Sequence, residues 1–207
     1  MHKPYHHGNL RNTLIETGID LINQEGENQF SLRKVASFCG VSEAAPYSHF
    51  KNKEALLKAM QDYMQEKLMK VLEDTIQSSP DPDNTYLLIQ MGKSYIMFFI
   101  KNPQYFPHLC AHTGMEIILS MDTDGTNNFP PFELFKSTSI RVLRENGFPE
   151  GKLLDIIISM FATVHGLASI ATMPNVHYSE DWENKIEDII CNQQTEIREI
   201  RCQKAAQ

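Results

Sequence analysis

The stretch that decides the fold is residues 31–58, SLRKVASFCGVSEAAPYSHFKNKEALLK. Its Ser31 is predicted to cap a short helix, because a serine hydroxyl accepts a hydrogen bond from a backbone N–H of the first turn. Gly40 ends that helix, since glycine adopts the left-handed backbone at low cost. Ser42 is predicted to cap a second short helix, whose first turn tolerates Pro46. The apolar residues of the first helix are Leu32, Val35, Ala36 and Phe38. Two such helices joined by a Gly-Val-Ser turn form a helix-turn-helix, which makes DNA the first partner to consider.

The second helix has the composition of a recognition helix. Ala44 and Ala45 would let the backbone approach a surface closely. Tyr47, Ser48 and His49 offer hydroxyl and imidazole groups suited to phosphates and base edges. The alternative is an ordinary helical hairpin, in which the tyrosine and histidine only pack.

Lys53 adds an electrostatic indication of DNA binding. It opens the next helix directly after Asn52, a plausible N-cap. A cation at a helix N-terminus opposes the helix dipole, whereas a phosphate there would be attracted by both the lysine and the helix end. The alternative is a solvated lysine that pairs with an acid such as Glu54.

Residues 5–58 resemble the DNA-binding domain of the TetR (tetracycline-repressor-like) family of bacterial transcription regulators. The matching residues are Phe30, Ser31, Arg33, Val35, Ala36, Gly40, Val41, Ser42, Ala45, Tyr47, His49, Phe50, Lys53, Glu54, Ala55, Leu56 and Leu57. Cys39 and Lys34 depart from the residues common in the family at those positions. The DNA-binding residues that the resemblance implies are Ser31, Arg33, Ser42, Glu43, Ala44, Tyr47, Ser48, His49 and Lys53.

A preceding helix is predicted to brace the motif. It would start after Asn9 and end at Gly26, with apolar residues at helical spacing. Residues 1–8 include a His6–His7 pair and lack the apolar run of a signal peptide. The pair is expected to belong to a flexible end, with a metal site as the alternative. We therefore expect a DNA-binding domain at 1–58 and an effector-binding and dimerisation domain at 59–207.

The charge divides in the same way. Residues 1–58 carry seven basic and six acidic side chains, a net +1, which leaves −8 for the remainder of a chain of net charge −7. The acidic remainder repels DNA and favours approach from the N-terminal end. A net +1 is weak for a DNA-binding domain, so we expect two half-sites bound by a dimer. The four cysteines show no paired spacing, which indicates a reducing, cytoplasmic location.

After the motif the pattern stays helical, so the whole chain is predicted to be all-α. The predicted helices cover 53–77, 85–101, 104–113, 131–146, 151–173 and 179–203, with a loop at 122–128. Residues 156–173 lack charge and could be long enough for a membrane span. Their five polar residues (Ser159, Thr163, His165, Ser169 and Thr172), and the absence of an aromatic belt and basic flanks, indicate a central helix that forms a dimer interface with the last helix.

Large apolar side chains with a few polar ones predict an effector pocket in the second domain. The predicted pocket residues are Met91, Tyr95, Phe98, Phe99, His112, Phe132, Phe135, Phe161 and His165. The alternative for each is plain core packing. Val164-His165-Gly166 partly resembles the Trp-His-Gly signature of one TetR subgroup. Because glycine is unfavourable in mid-helix, Gly166 is expected to pack closely against a neighbour.

His108-x-Cys110-x-His112 has the spacing of metal ligands, with Glu116 on the same helical face. It supports an alternative hypothesis, a metal sensor on the same scaffold. No catalytic motif is present, so neither an enzyme nor a cofactor is expected. The sequence thus predicts a homodimeric repressor that binds a pseudo-palindromic DNA operator and a largely apolar small-molecule effector. A helical interaction protein that does not bind DNA is the remaining alternative.

Overall fold

In the computed structural model of the chain, the described residues are 10–112, 116–121 and 128–192. All regular secondary structure within them is helical, which confirms the all-α prediction. The helices are α1 (Leu10–Glu25), α2 (Leu32–Cys39), α3 (Lys53–Ser78), α4 (Tyr86–Lys101), α5 (Tyr105–Pro107), α6 (Pro130–Glu145), α7 (Leu153–Thr172) and helical residues 182–192. Short 3-10 helices cover Glu27–Gln29, Ala45–Ser48 and Glu150–Lys152, and a π-helical turn covers His108–His112.

The chain folds into two compact units. Among the described residues, the N-terminal unit comprises 10–66 and 107–112, and the C-terminal unit comprises 67–106, 116–121 and 128–192. The division falls within α3, which continues from one unit into the other. The domain boundary at residue 58 stays a prediction. The expectations for Asn9, His6, His7 and residues 193–203 lie outside the described residues, as does loop 122–128 up to residue 127.

The N-terminal unit is built on the apolar stripe of α1. Ile15 and Ile19 are fully buried, as are Val35 of α2 and Leu56 of α3. Each such side chain contributes roughly 1.5–3 kcal/mol when it leaves water. Gly18 allows α1 to approach α3, since a Cβ there would lie 3.0 Å from Met60 Sδ. These contacts hold the two helices that flank the helix-turn-helix.

The C-terminal unit has its closest helix packing between α4 and α7. A Cβ added at Gly92 of α4 would lie 2.9 Å from Val164 Cγ1 and 3.3 Å from Ile190 Cδ1. Gly166, by contrast, would meet nothing within 4 Å. The expectation of close packing at Gly166 is therefore wrong within the described chain, because the side of α7 that meets α4 carries Val164 instead.

Helix α7 leaves much of its apolar surface uncovered. By length and composition alone, residues 150–172 could cross a membrane, and only 22% of the apolar window is buried. Leu153, Ile157, Val164 and Ala168 are its buried residues. Ile170 and Met173 are 44% and 48% exposed. The hydroxyl groups of Ser159 and Thr163 bond to carbonyl oxygens one turn earlier in the same helix, both at 2.8 Å.

Candidate nucleic-acid interface and ligand cavity

The first helix of the motif begins and ends as its sequence predicts. The Ser31 hydroxyl accepts a hydrogen bond from the Lys34 N–H at 3.3 Å. Gly40 has a φ of 69°, in the left-handed region, and its N–H meets the Ser37 carbonyl at 3.1 Å. The Val41 N–H bonds to the Ala36 carbonyl at 3.0 Å, so the last carbonyls of α2 are satisfied before the chain reverses.

The apolar residues of α2 do not all face the core. Phe38 is 57% exposed, whereas Leu32, Val35 and Ala36 are buried. It follows Ala36 by two positions, about 200° around the helix, which turns it away from the apolar stripe. Cys39 returns to that stripe and lies 3.3 Å from the Thr17 hydroxyl of α1. Burial raises the pKa of the Cys39 thiol above its ordinary value.

The second element of the motif is a 3-10 turn, Ala45–Ser48, rather than a helix capped by Ser42. Its N-cap is Ala44, without a side-chain hydrogen bond. The reason is Pro46, whose missing N–H cannot reach the Ser42 carbonyl as an α-turn requires. The Ala45 N–H takes that carbonyl instead, at 2.9 Å. Ser42 therefore starts the element through its backbone.

The predicted DNA-binding residues share an exposed surface on this element and the start of α2. Pro46 and Phe50 are buried and anchor the turn, whereas Tyr47 between them is 53% exposed. Arg33 reaches across from α2 to Glu43, with Nε and Oε2 3.4 Å apart. The exposed members of the predicted set are Ser31, Arg33, Ser42, Glu43, Ala44, Tyr47, Ser48 and His49.

Lys53 sits at the edge of this surface, and its head group is partly engaged. The Asn52 side chain caps α3 by accepting the Ala55 N–H at 2.9 Å, as predicted. The Lys53 ammonium donates to the Glu27 carbonyl at 2.8 Å and lies 5.7 Å from the centre of the Phe30 ring. An ammonium has three donors, so Lys53 can also reach a phosphate.

The predicted effector residues gather around a cavity in the C-terminal unit that is nearly filled. Its volume is about 20 Å³. A single water needs roughly 10–15 Å³ on this measure, so there is room for about one water. The predicted residues that line it are Met91, Tyr95, Phe132, Phe135 and Phe161. Leu72, Gly92, Phe129, Pro131 and Val164 complete the lining.

The remaining predicted pocket residues lie in or near an aromatic cluster. Phe98 and Phe99 are buried and stack edge-to-face 5.1 Å apart. His165 Nδ1 lies 3.0 Å from the Tyr95 hydroxyl oxygen, and Phe161 contacts the same imidazole ring at 5.3 Å. Burial lowers the pKa of His165 below its ordinary value of 6.5, so the ring is neutral at pH 7. The side chain of His112 lies outside the described residues.

Sequence reasoning missed a buried polar cluster beside this cavity. Lys136 of α6 is only 3% exposed, and its ammonium lies 2.8 Å from Glu133. Asn128 donates to the same carboxylate at 2.7 Å and accepts the Ile118 N–H at 2.6 Å. The cluster fastens residues near 118 to the start of α6. The sequence offers little indication of this cluster. Lysine is mostly exposed, and a lysine three residues from a glutamate on one helix is equally consistent with an exposed ion pair.

The possible metal ligands do not form a described site. His108 is buried at 7% exposure, and Cys110 is half-buried. Among the described residues there is no cluster of three or more histidine, cysteine, aspartate or glutamate side chains. The pairing of His108 with His112 stays a prediction, because the His112 side chain lies outside that part of the chain.

Comparison with known proteins gives the family of the N-terminal region. Residues 14–60 match the family described as bacterial regulatory proteins, tetR family. The tetracycline repressor protein class A from transposon 1721 of Escherichia coli is 34% identical over 83 residues, which cover 40% of this chain and 36% of that protein. The chain thus matches little more than a third of this relative's length.

Two further similarities extend beyond the motif. The nucleoid occlusion factor SlmA of Vibrio cholerae is 26% identical over 145 residues, covering 70% of this chain and 71% of that protein. The crystal structure of the TetR family transcriptional regulator PfmR from Thermus thermophilus superposes with a TM-score of 0.61 at 17% identity, over 86% of this chain and 96% of that one. At such identity the likeness establishes the fold alone, and it extends through both units.

Proposed function

We propose that this chain is a homodimeric repressor of the TetR family, controlled by a small-molecule effector. The match of residues 14–60 to that family and the all-helical fold support the proposal. Regulators of this family are not enzymes. The observation that carries the proposal is the exposed surface around Tyr47. An aromatic side chain that is 53% exposed between two buried anchors, Pro46 and Phe50, has no packing role of its own. It is available to a duplex.

On the DNA, Tyr47, Ser48 and His49 are proposed to meet base edges, and Ser31, Arg33 and Lys53 to meet phosphates. The negative charge of Glu43 opposes phosphate binding at this surface. In the free protein Glu43 pairs with Arg33, with Nε and Oε2 3.4 Å apart. The pair is exposed and worth at most about 1 kcal/mol, so a phosphate can displace Glu43 from Arg33. Ser42 and Ala44 would keep the backbone close to the groove.

Dimerisation is proposed to occur through α7 and the helix that starts at residue 182. The support is the uncovered apolar surface of α7, of which Ile170 and Met173 are examples. A second copy of the same chain would cover it on both sides of a twofold axis. The two recognition elements would then lie one DNA turn apart, about 34–36 Å, on a pseudo-palindromic operator.

The effector is proposed to be a largely apolar molecule that opens the cavity lined by Met91, Tyr95, Phe132, Phe135 and Phe161. The neutral His165 and the Tyr95 hydroxyl would supply its polar contacts. Entry requires a conformational change, because the cavity of about 20 Å³ is nearly filled. An effector that prefers the opened state shifts the population away from the state that binds DNA. Helix α3 belongs to both units and is proposed to transmit the change.

Two further expectations complete the proposal. The effector domain is assigned to the subgroup with a Trp-His-Gly signature, on Val164-His165-Gly166, and the protein to the cytoplasm. The metal-sensing alternative retains His108, Cys110 and His112 as its ligands. It predicts stoichiometric metal uptake by the purified protein that is lost on replacing His108 and His112 by alanine.

The test is selection of the purified protein on a random duplex library at physiological salt. Enrichment of a pseudo-palindrome supports the repressor, and the Tyr47→Ala variant should fail to retain that sequence. Phe38→Ala is the matched control, because Phe38 is an equally exposed aromatic outside the predicted set. Equal binding by the Tyr47→Ala variant and the native protein would remove Tyr47 from the interface. Enrichment of no sequence would count against operator binding and would make metal analysis of the purified protein the next test.

A further inference from the structure

The N-terminal unit contains a second cavity, apart from the predicted effector pocket. Its volume is about 460 Å³, and it lies between the end of α1, the first half of α3 and the π-helical turn. All of its lining residues belong to this unit. Ligand pockets commonly measure roughly 300–1,000 Å³, so this cavity can hold an organic molecule as it stands. The effector cavity, at about 20 Å³, cannot.

The lining divides into an apolar floor and a polar edge. Leu57, Met60 and Met64 of α3 provide three large apolar side chains on one helical face, with Ile22 of α1 opposite them. Methionine adapts its shape readily, which suits a site that accepts a bulky apolar group. Asn23, Asn28, Gln61 and His108 provide polar groups. Such a lining favours a molecule with an apolar body and one polar end.

The charge at the polar edge is negative. Among the described residues, Glu27 is the only Asp, Glu, Lys or Arg that lines the cavity. It lies two residues after the last residue of α1, where the helix dipole also favours a positive charge. The Lys53 ammonium bonds to the backbone carbonyl of Glu27, not to its carboxylate. Among the described residues no ion pair engages that carboxylate.

We propose that this cavity binds an amphipathic organic cation, with its apolar body among Leu57, Met60 and Met64 and its ammonium group at the Glu27 carboxylate. The site is separate from the proposed effector pocket, because the two cavities share no lining residue. The contact to Glu27 is a partly exposed ion pair, so its removal is expected to weaken binding about two- to fivefold. Most of the affinity would come from burial of the apolar body.

The experiment uses dansylcadaverine, a fluorescent aromatic sulfonamide with a flexible aminoalkyl chain, titrated with the full-length protein. Its emission rises when the aromatic group leaves water, which gives the dissociation constant and the stoichiometry. The N-acetylated derivative is the neutral comparison. Glu27→Gln removes the charge and keeps the backbone carbonyl that Lys53 uses. Glu54→Gln is the matched control, since Glu54 is an exposed acid of the same unit that does not line the cavity.

Leu57→Trp is designed to fill the cavity. If that variant fails to fold, Asn28→Trp is used instead, because Asn28 lines the cavity at its exposed edge. We expect one saturable site per chain, weaker for the neutral derivative, weakened two- to fivefold by Glu27→Gln and lost in the tryptophan variant. Glu54→Gln should leave binding unchanged. Absence of saturable binding overturns the proposal, as does binding that survives the tryptophan variant, which would place the probe elsewhere. Equal binding of the neutral derivative with no effect of Glu27→Gln also overturns it, because the ligand class rests on that charge.

Discussion

Replacement of Gly92 by alanine tests the packing of α4 against α7. Two effects oppose each other. Alanine in a helix interior is favoured over glycine by about 1 kcal/mol. The new Cβ, however, would lie 2.9 Å from Val164 Cγ1. Valine in a helix is held in essentially one rotamer, and Val164 is buried at 7% exposure, so its methyl group cannot move aside cheaply. Overpacking of this kind costs about 1–3 kcal/mol, so we expect Gly92→Ala to lower the free energy of unfolding by up to about 2 kcal/mol.

The reasoning is isolated by a double-mutant cycle with Val164→Ala, which removes the methyl group in question. In that background the new Cβ meets only Ile190 Cδ1, at 3.3 Å. Gly92→Ala should then raise the free energy of unfolding by up to about 1 kcal/mol, through its helix preference. The coupling between the two sites is therefore expected to be about 1–3 kcal/mol. Gly166→Ala is the matched control, because its Cβ would meet nothing within 4 Å. It should stabilise the protein by about 1 kcal/mol.

The measurement is urea unfolding followed by far-UV circular dichroism at one fixed protein concentration, with the m-values compared between variants. The same effect of Gly92→Ala in both backgrounds would refute the assignment of the loss to Val164. Destabilisation by Gly166→Ala in a dimer would show instead that a second copy of the chain covers that side of α7.

Three other perturbations test the caps, the buried histidine and the phosphate contacts. Ser31→Ala removes the cap of α2 and should lower the free energy of unfolding by about 1 kcal/mol. Ser31→Thr keeps a hydroxyl group and should retain most of that stability. Thermal melts with the same midpoint for both variants would rule out a stabilising role of the hydroxyl. The pKa of His165 is lowered in the folded protein, so the unfolded chain binds the proton more readily below pH 6.5. The free energy of unfolding should therefore fall as the pH drops from 6.5 towards the pKa of His165 in the folded protein. Urea unfolding at several pH values measures this dependence, and His165→Gln should flatten it. If the variant shows the same pH dependence, His165 is not its cause. Lys53→Met should reduce the slope of log affinity against log salt concentration, for the selected operator, by about 1 per protomer. Lys58→Met is the control, because Lys58 pairs with Asp62, and it should leave the slope unchanged. Equal slopes for both variants would show that Lys53 does not contact phosphates.

The parts of the fold that follow from local chemistry could be predicted from the sequence. The cap at Ser31, the reversal at Gly40 and the cap at Asn52 each depend on residues within a few positions of one another. Helix positions also followed from apolar spacing over long segments, as in α3 and α4. Local rules decide these features because the hydrogen bonds that satisfy a helix end come from its immediate neighbours.

The errors arose where a prediction depended on what packs against a residue. Apolar character alone does not place Phe38 in the core, because its position on the helix turns it outward. Gly166 was expected to permit a close contact, but the glycine at the contact between α4 and α7 is Gly92. Ser42 was expected to cap through its side chain, which ignored the hydrogen bond that Pro46 cannot make. The burial of Lys136 depends on a tertiary environment that no local pattern encodes.

For the predicted pocket, sequence chemistry indicated residue types but not volume. Five of the predicted side chains line one cavity, namely Met91, Tyr95, Phe132, Phe135 and Phe161. Whether such side chains enclose space or fill it depends on their rotamers and on the spacing of the helices, which the sequence pattern does not specify. The larger cavity of the N-terminal unit was not anticipated for the same reason.

For the proposed effector, the near-absence of space between α4, α6 and α7 affects the concentration at which the protein responds. If an opened form is present in about one molecule in a hundred, a ligand that binds only that form shows an apparent dissociation constant about 100-fold weaker than its intrinsic one. The tight aromatic packing would then set a threshold concentration, below which an apolar metabolite has no effect. A substitution such as Phe161→Leu, which loosens the packing without adding a contact, would make the protein respond to less ligand. Sensitivity could thus change in evolution without any change in which molecule is recognised.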